Sequence, residues 1–135
     1  MNSYNIAVIP GDGIGIEVVN SALKVLDKVS NNNNFELNYS FYDWGSNYYF
    51  KNKLMMPEDG LDLLSKSDAI FLGAIGHPDI QDHLTLNGLL LPIRRKFDQY
   101  VCIRPSVLFR GVNSPLKNVK EGDIDIVVVR ENTEG

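Results

Sequence analysis

The stretch Val8-Ile9-Pro10-Gly11-Asp12-Gly13-Ile14-Gly15 breaks an apolar run into alternating glycines, a composition that can bring backbone amides up to a phosphate. A Rossmann fingerprint spaces them G-x-G-x-x-G, the third glycine letting a helix pack against its strand. Gly11 and Gly13 fit, but the third slot holds Ile16 and Gly15 comes one residue early. Asp12 also places a fixed carboxylate where a pyrophosphate would approach, and no Gly-Lys-Ser/Thr follows to make a Walker loop. Asp43, at the end of the next strand-like segment, stands where a ribose-binding acid would. An ordinary Rossmann site therefore fits poorly. Two other readings stay open: a tight strand-to-helix turn whose glycines supply positive φ, and a loop that borders a cofactor without cradling its phosphates. Cys102, the single cysteine, allows neither an internal disulfide nor a multi-cysteine metal cluster. With His77 and His83 far from it in sequence, Cys102 is expected to be a buried strand residue, and the two histidines to be loop residues, not acid–base catalysts.

The elements that must carry these residues alternate. Residues 5–10 read as a buried strand, and Ile14, Val18, Ala22, Val25, Leu26 and Val29 follow at helical spacing. The asparagine run 31–34 is expected to be a polar connection. Residues 35–42 alternate Phe35, Leu37, Tyr39 and Phe41 on one strand face. Pro57-Glu58-Asp59 opens a short helix carrying Leu61, Leu63 and Leu64. Residues 69–72 form a brief strand that empties into a second glycine loop at 73–79. A helix is expected over 86–97, an extended segment at 100–104 before Pro105, and a β-branched strand, covered on both faces, at 124–129. Strands alternating with helices imply an α/β fold, a mostly parallel sheet covered by helices on both faces.

The 135 residues are 44% hydrophobic and 22% charged, enough for one ordinary domain with its own core. Thirteen Lys and Arg against seventeen Asp and Glu give a net charge of −4, with no basic block for nucleic acid or an anionic membrane. With neither a leader-like start nor a membrane-length apolar run, the expected location is the cytoplasm.

Five motifs occur in an order that resembles the isocitrate and isopropylmalate dehydrogenase family, the decarboxylating dehydrogenases of 2-hydroxy acids. They are Pro10-Gly11-Asp12-Gly13-Ile14-Gly15 with Glu17-Val18, Gly73-Ala74-Ile75-Gly76, Leu89-Leu90-Leu91-Pro92-Ile93-Arg94, Ile103-Arg104-Pro105, and Val129-Arg130-Glu131-Asn132-Thr133-Glu134-Gly135. The segments Asp43-Trp44-Gly45-Ser46, Tyr48-Tyr49, Met55-Met56-Pro57-Glu58-Asp59-Gly60 and Phe97-Asp98-Gln99-Tyr100-Val101 look most like the tartrate and D-malate dehydrogenase branch. The resemblance implies an isopropylmalate-dehydrogenase-like fold, not a Rossmann fold, incomplete in this chain. Residues 1–106 would be the N-terminal part of a larger first α/β domain. Residues 107–135 would be the crossover and first strand leading into a second, dimerisation domain.

The same resemblance implies NAD and Mg²⁺ or Mn²⁺ as cofactors, a small dicarboxylate substrate and a homodimer, with no nucleic-acid or membrane partner. It assigns substrate binding to Arg94, Arg104 and Arg130, and guanidinium forks suit carboxylates. Arg94 taken alone reads first as a surface helix partner of Asp98, four residues on. Leu90 would enclose part of the substrate, and Ile14 and Asn87 would contact the nicotinamide end. Asn87 stands where members specific for branched substrates carry an acid, which points away from isopropylmalate. The family's catalytic tyrosine falls two positions past Gly135 and its metal aspartates much later. The chain is therefore expected to hold no catalytic residue and no metal ligand, to be an N-terminal fragment, and to be inactive alone. The competing reading is a non-catalytic carboxylate-binding α/β module.

Overall fold

The computed structural model describes residues 2–133. The elements run β1 (Asn2–Gly11), α1 (Ile14–Asn33), β2 (Phe35–Phe41), α2 (Ser46–Asn52), α3 (Gly60–Leu64), β3 (Ala69–Ala74), α4 (Asp82–Thr85), a π-turn (Leu86–Leu90), α5 (Leu91–Lys96), β4 (Val101–Val107) and β5 (Asp125–Glu131). The fold is α/β, with a parallel sheet and helices. Two compact units divide after Ile93, inside α5.

In the first unit, three parallel strands lie in the order β2-β1-β3. β1 is central, pairing Ile6 with Tyr39 on one side and with Ala69 on the other. A central parallel strand is covered on both faces, and Ala7, Val8 and Ile9 are accordingly fully buried. Val8 joins Val19 and Leu23 of α1 in a core against which Ile6, Leu26, Tyr39 and Phe71 pack. Trp44, Met55, Leu64, Ile80, Leu89 and Ile93 are buried as well.

The helical face of α1 is not the one its periodicity suggests. The buried positions are Gly15, Val19, Leu23 and Ser30, whereas Ile14, Val18, Val25 and Val29 are exposed. The apolar arc is wider than the sheet can cover, so one flank stays in solvent. The asparagine run is also different: Asn31, Asn32 and Asn33 extend α1, and Asn34 ends it in the left-handed conformation at φ 55°. Asparagine tolerates that region at a helix end better than most residues. Helix α2 arises from SNYYFKN, whose mixed aromatics give no clear period. The helix expected over 86–97 begins earlier, at Asp82, and carries the π-turn. That turn brings Gly88 against Met55, where an added Cβ would lie 2.6 Å from Met55 Cγ.

In the second unit, β4 and β5 form an antiparallel ribbon. β4 continues through Pro105, which a two-stranded ribbon tolerates because both strands are edges. The strand expected at 124–129 forms as β5, but it is exposed along Asp125 to Arg130 and not covered on both faces.

Candidate carboxylate-binding site

The ladder register of the ribbon decides which side chains meet. Cys102 lies opposite Arg130, and Arg104 opposite Val128. Directly opposed residues share a face, and so do residues two apart on one strand. Cys102, Arg104 and Arg130 therefore lie on one face, while Val101, Ile103, Val127 and Val129 occupy the other. Arg104 turns back along its strand and donates from Nε to Cys102 Sγ at 3.4 Å.

Arg94, half-buried at the start of this unit, lines an open cavity of about 610 Å³ together with Phe97, Gln99, Tyr100, Cys102 and Asn132. The Arg104 hydrogen bond holds the Cys102 thiol below its ordinary range, and Asn132 and the charge of Arg94 act in the same direction. Asn132 donates its backbone N–H to Tyr100 O at 2.9 Å, extending the ribbon ladder, and its side-chain oxygen is buried with no hydrogen-bond partner among the described residues. Arg94 thus lines the cavity that Cys102 walls, whereas Arg104 bonds the sulfur from the exposed ribbon face that Arg130 shares, and neither of these two is among the cavity's lining residues. Arg95 and Lys96 are exposed. Cys102 is half-buried in the cavity wall and not buried in a strand core. Its place, like that of Asn132, follows from strand pairing, which no local sequence signal announces.

In the first unit the glycine loop is closed by its own acid. Asp12 is 8% exposed. Its Oδ1 accepts the Ser46 N–H at 2.8 Å, and its Oδ2 accepts the Ser46 hydroxyl at 2.6 Å and the Gly76 N–H at 2.9 Å. Gly15 does the packing work of a third fingerprint glycine from one position early. A Cβ there would lie 2.5 Å from Pro10 O and 2.7 Å from Ala74 N. Ile14 opens α1 and is exposed. Asn87 lies in the π-turn and donates its side-chain N–H to His83 O at 2.8 Å. Leu90 is half-buried and lines a small cavity of about 120 Å³ with Leu72, Ile75 and Leu86.

His77 is a loop residue whose Nδ1 accepts the Asp79 N–H at 3.1 Å and whose ring meets Phe50 edge-on. His83 lies in α4, not in a loop. Asp43 is exposed at the end of the β2 segment. Among the described residues no three His, Cys, Asp or Glu side chains gather in a metal-binding group. No helix among them is long and apolar enough to cross a membrane.

Residues 5–135 match the isocitrate/isopropylmalate dehydrogenase family. The chain is 52% identical over 136 residues to a probable tartrate dehydrogenase/decarboxylase of Agrobacterium vitis, covering all of this chain and 38% of that protein. It is 49% identical over 137 residues to the decarboxylating D-malate dehydrogenase of Escherichia coli K12, covering 100% of this chain and 38% of the relative. It is also 49% identical over 134 residues to a 3-isopropylmalate dehydrogenase of Bifidobacterium longum, covering 98% and 38%. The isocitrate dehydrogenase of Methylococcus capsulatus superposes with a TM-score of 0.77 at 26% identity, over 98% of this chain and 35% of that one. The chain thus spans little more than a third of the length of these relatives, and it belongs to the isocitrate/isopropylmalate dehydrogenase family.

Proposed function

We propose that this chain supplies the substrate-carboxylate site of an NAD-dependent, divalent-metal-dependent oxidation, with decarboxylation, of a small 2-hydroxy dicarboxylic acid, tartrate or D-malate. The observation that carries the reading is that Arg104 and Arg130 share one ribbon face with Cys102, Arg104 bonded to its sulfur, while Arg94 lines the cavity that Cys102 walls. Each guanidinium offers a planar pair of N–H donors to a carboxylate. A dicarboxylate gripped at both ends would have its hydroxyl-bearing carbon oriented between them. Leu90 is proposed to flank the substrate, and Ile14 and Asn87 to meet the nicotinamide end.

NAD supplies the hydride acceptor, and Mg²⁺ or Mn²⁺ the Lewis acid that lets CO₂ leave. The ligands of that ion are proposed to lie outside the described residues. A homodimer is proposed for the complete enzyme, and the 135-residue chain alone is proposed to bind without turning over.

Calorimetric titration of the chain with tartrate and with D-malate tests the site. Saturable binding is expected, weakened about tenfold or more, roughly 1.4 kcal/mol, by Arg94→Lys, Arg104→Lys or Arg130→Lys. No binding, or binding indifferent to all three changes, refutes the reading. The similarity to 3-isopropylmalate dehydrogenase favours a second substrate, isopropylmalate. An assay of the full-length protein with NAD and Mn²⁺ separates the substrates: turnover of isopropylmalate alone would overturn the tartrate/D-malate choice.

A further inference from the structure

We infer that the junction of the loops after β1 and β3 with the start of α2 is an oxyanion-binding site whose permanent occupant is the chain's own Asp12 carboxylate. Parallel sheets bind ligands beyond the carboxyl ends of their strands where the strand order reverses, and in a 2-1-3 order that point lies between the first and third strands. Here the order is β2-β1-β3. Asp12 follows β1 directly, and its own N–H is donated to Ala74 O at the end of β3, at 2.7 Å.

Three donors from the first residue of α2 and from the loop after β3 converge on the carboxylate: Ser46 N–H, Ser46 O–H and Gly76 N–H. The approach is close enough to restrict the neighbouring backbone, since a Cβ on Gly45 would lie 2.9 Å from Asp12 Oδ1. Gly45 and Gly76 both have positive φ, at 132° and 150°. A carboxylate that is 8% exposed and takes three hydrogen bonds is held as a bound oxyanion would be, by donors that lie outside the glycine loop and α1. The three segments are thereby tied to one group. A dinucleotide meeting this face has to place its phosphates on amides other than those of Ser46 and Gly76. This inference does not depend on which substrate the arginines hold.

Removing the side chain should turn an internal ligand into an external one. Asp12→Gly leaves room for acetate, and Asp12→Ala for formate. Both variants are to be melted in sodium acetate, sodium formate and, at matched ionic strength, sodium chloride, with the Ser46 and Gly76 amides followed by two-dimensional NMR. Each variant is expected to melt several degrees below the wild type and to recover most of the loss in its matched carboxylate but not in chloride. Saturable shifts of both amides should accompany the recovery.

The wild type should show neither effect, with these anions or with inorganic phosphate. Variants that melt like the wild type, or that lose stability without a response to either carboxylate, overturn the inference. So do wild-type Ser46 and Gly76 amides that move with phosphate. Should both variants fail to fold in any salt, Asp12→Asn decides. It keeps the shape but must leave at least one donor unpaired, so faster hydrogen exchange at Ser46 or Gly76 supports the inference. Wild-type exchange at both refutes it.

Discussion

Arg104 donates from Nε to the Sγ of Cys102 over 3.4 Å, two residues back along the same face of β4. A thiolate beside a guanidinium is favoured over the thiol, so Cys102 should be alkylated by iodoacetamide with a pH midpoint below the usual value of about 8.5. Arg104→Gln should raise that midpoint towards the ordinary value, while Arg95→Gln, at an exposed position, should leave it in place. A midpoint unmoved by the loss of Arg104 would refute the pairing. The sign of the linkage follows from the lowered folded-state value. The thiolate's contribution to stability is present above the unfolded pKa and is lost as pH falls through the folded one.

The orientation of α1 can be tested by truncation. Val18→Ala and Val25→Ala, on the flank that hydropathy marks as apolar but solvent covers, should each change stability by no more than about 0.5 kcal/mol. Val19→Ala, at a position 1% exposed, should cost about 2 kcal/mol or more. Gly15→Ala should cost about 1–3 kcal/mol, since its Cβ must displace the backbone of Pro10 or Ala74. Urea unfolding of the four variants ranks them, and a Val18→Ala loss as large as that of Val19→Ala would reverse the assigned face.

What could be read in advance was what local chemistry governs. The run Ile6 to Ile9 announces a covered strand, the alternation of Phe35, Leu37 and Tyr39 a second one, and the misplaced third glycine a turn unsuited to pyrophosphate. What could not be read depends on pairing between distant segments. The choice between Val18 and Val19 on α1 is set by how far the sheet extends over a helix that is apolar around much of its circumference. The neighbourhood of Cys102 comes from a register that places it opposite Arg130, 28 residues on. Nothing near Cys102 in the chain encodes that partner. Asp12 was legible as an obstacle to phosphate, but Ser46 was not legible as its partner, because the two meet only where the segments after neighbouring strands converge.

Tyr39 donates a hydrogen bond from its phenolic O–H to Asp27 Oδ1 at 3.0 Å, joining β2 to α1. Burial first, and then the hydrogen bond and charge of Asp27, push the phenol up to about 12. The absorbance titration of the wild type, less that of Tyr39→Phe, should contain one late phenolate step, and Asp27→Asn should move it part of the way back towards 10 because burial remains. A raised folded-state value means that the interaction stabilises fully below the unfolded pKa of about 10 and is lost as pH rises through the folded one. Wild-type stability should therefore fall over that alkaline interval more steeply than that of Tyr39→Phe. Equal slopes would show that Tyr39 titrates normally.

Ile103 and Val129 oppose each other on the ribbon face away from the arginines, and each is about two-thirds exposed. Val101, Val107 and Val127 continue the patch on the same face and are exposed too. An apolar face on a two-stranded ribbon with open edges is a template for association. Sedimentation velocity of the 135-residue chain should show larger species growing as concentration rises. The paired change Ile103→Lys with Val129→Glu places opposite charges across the ladder, which is compatible with the strands, and should shift the chain towards monomer while melting stays within a few degrees. A wild type that remains monomeric throughout, or a charged variant that associates as readily, would mean that this face drives no assembly.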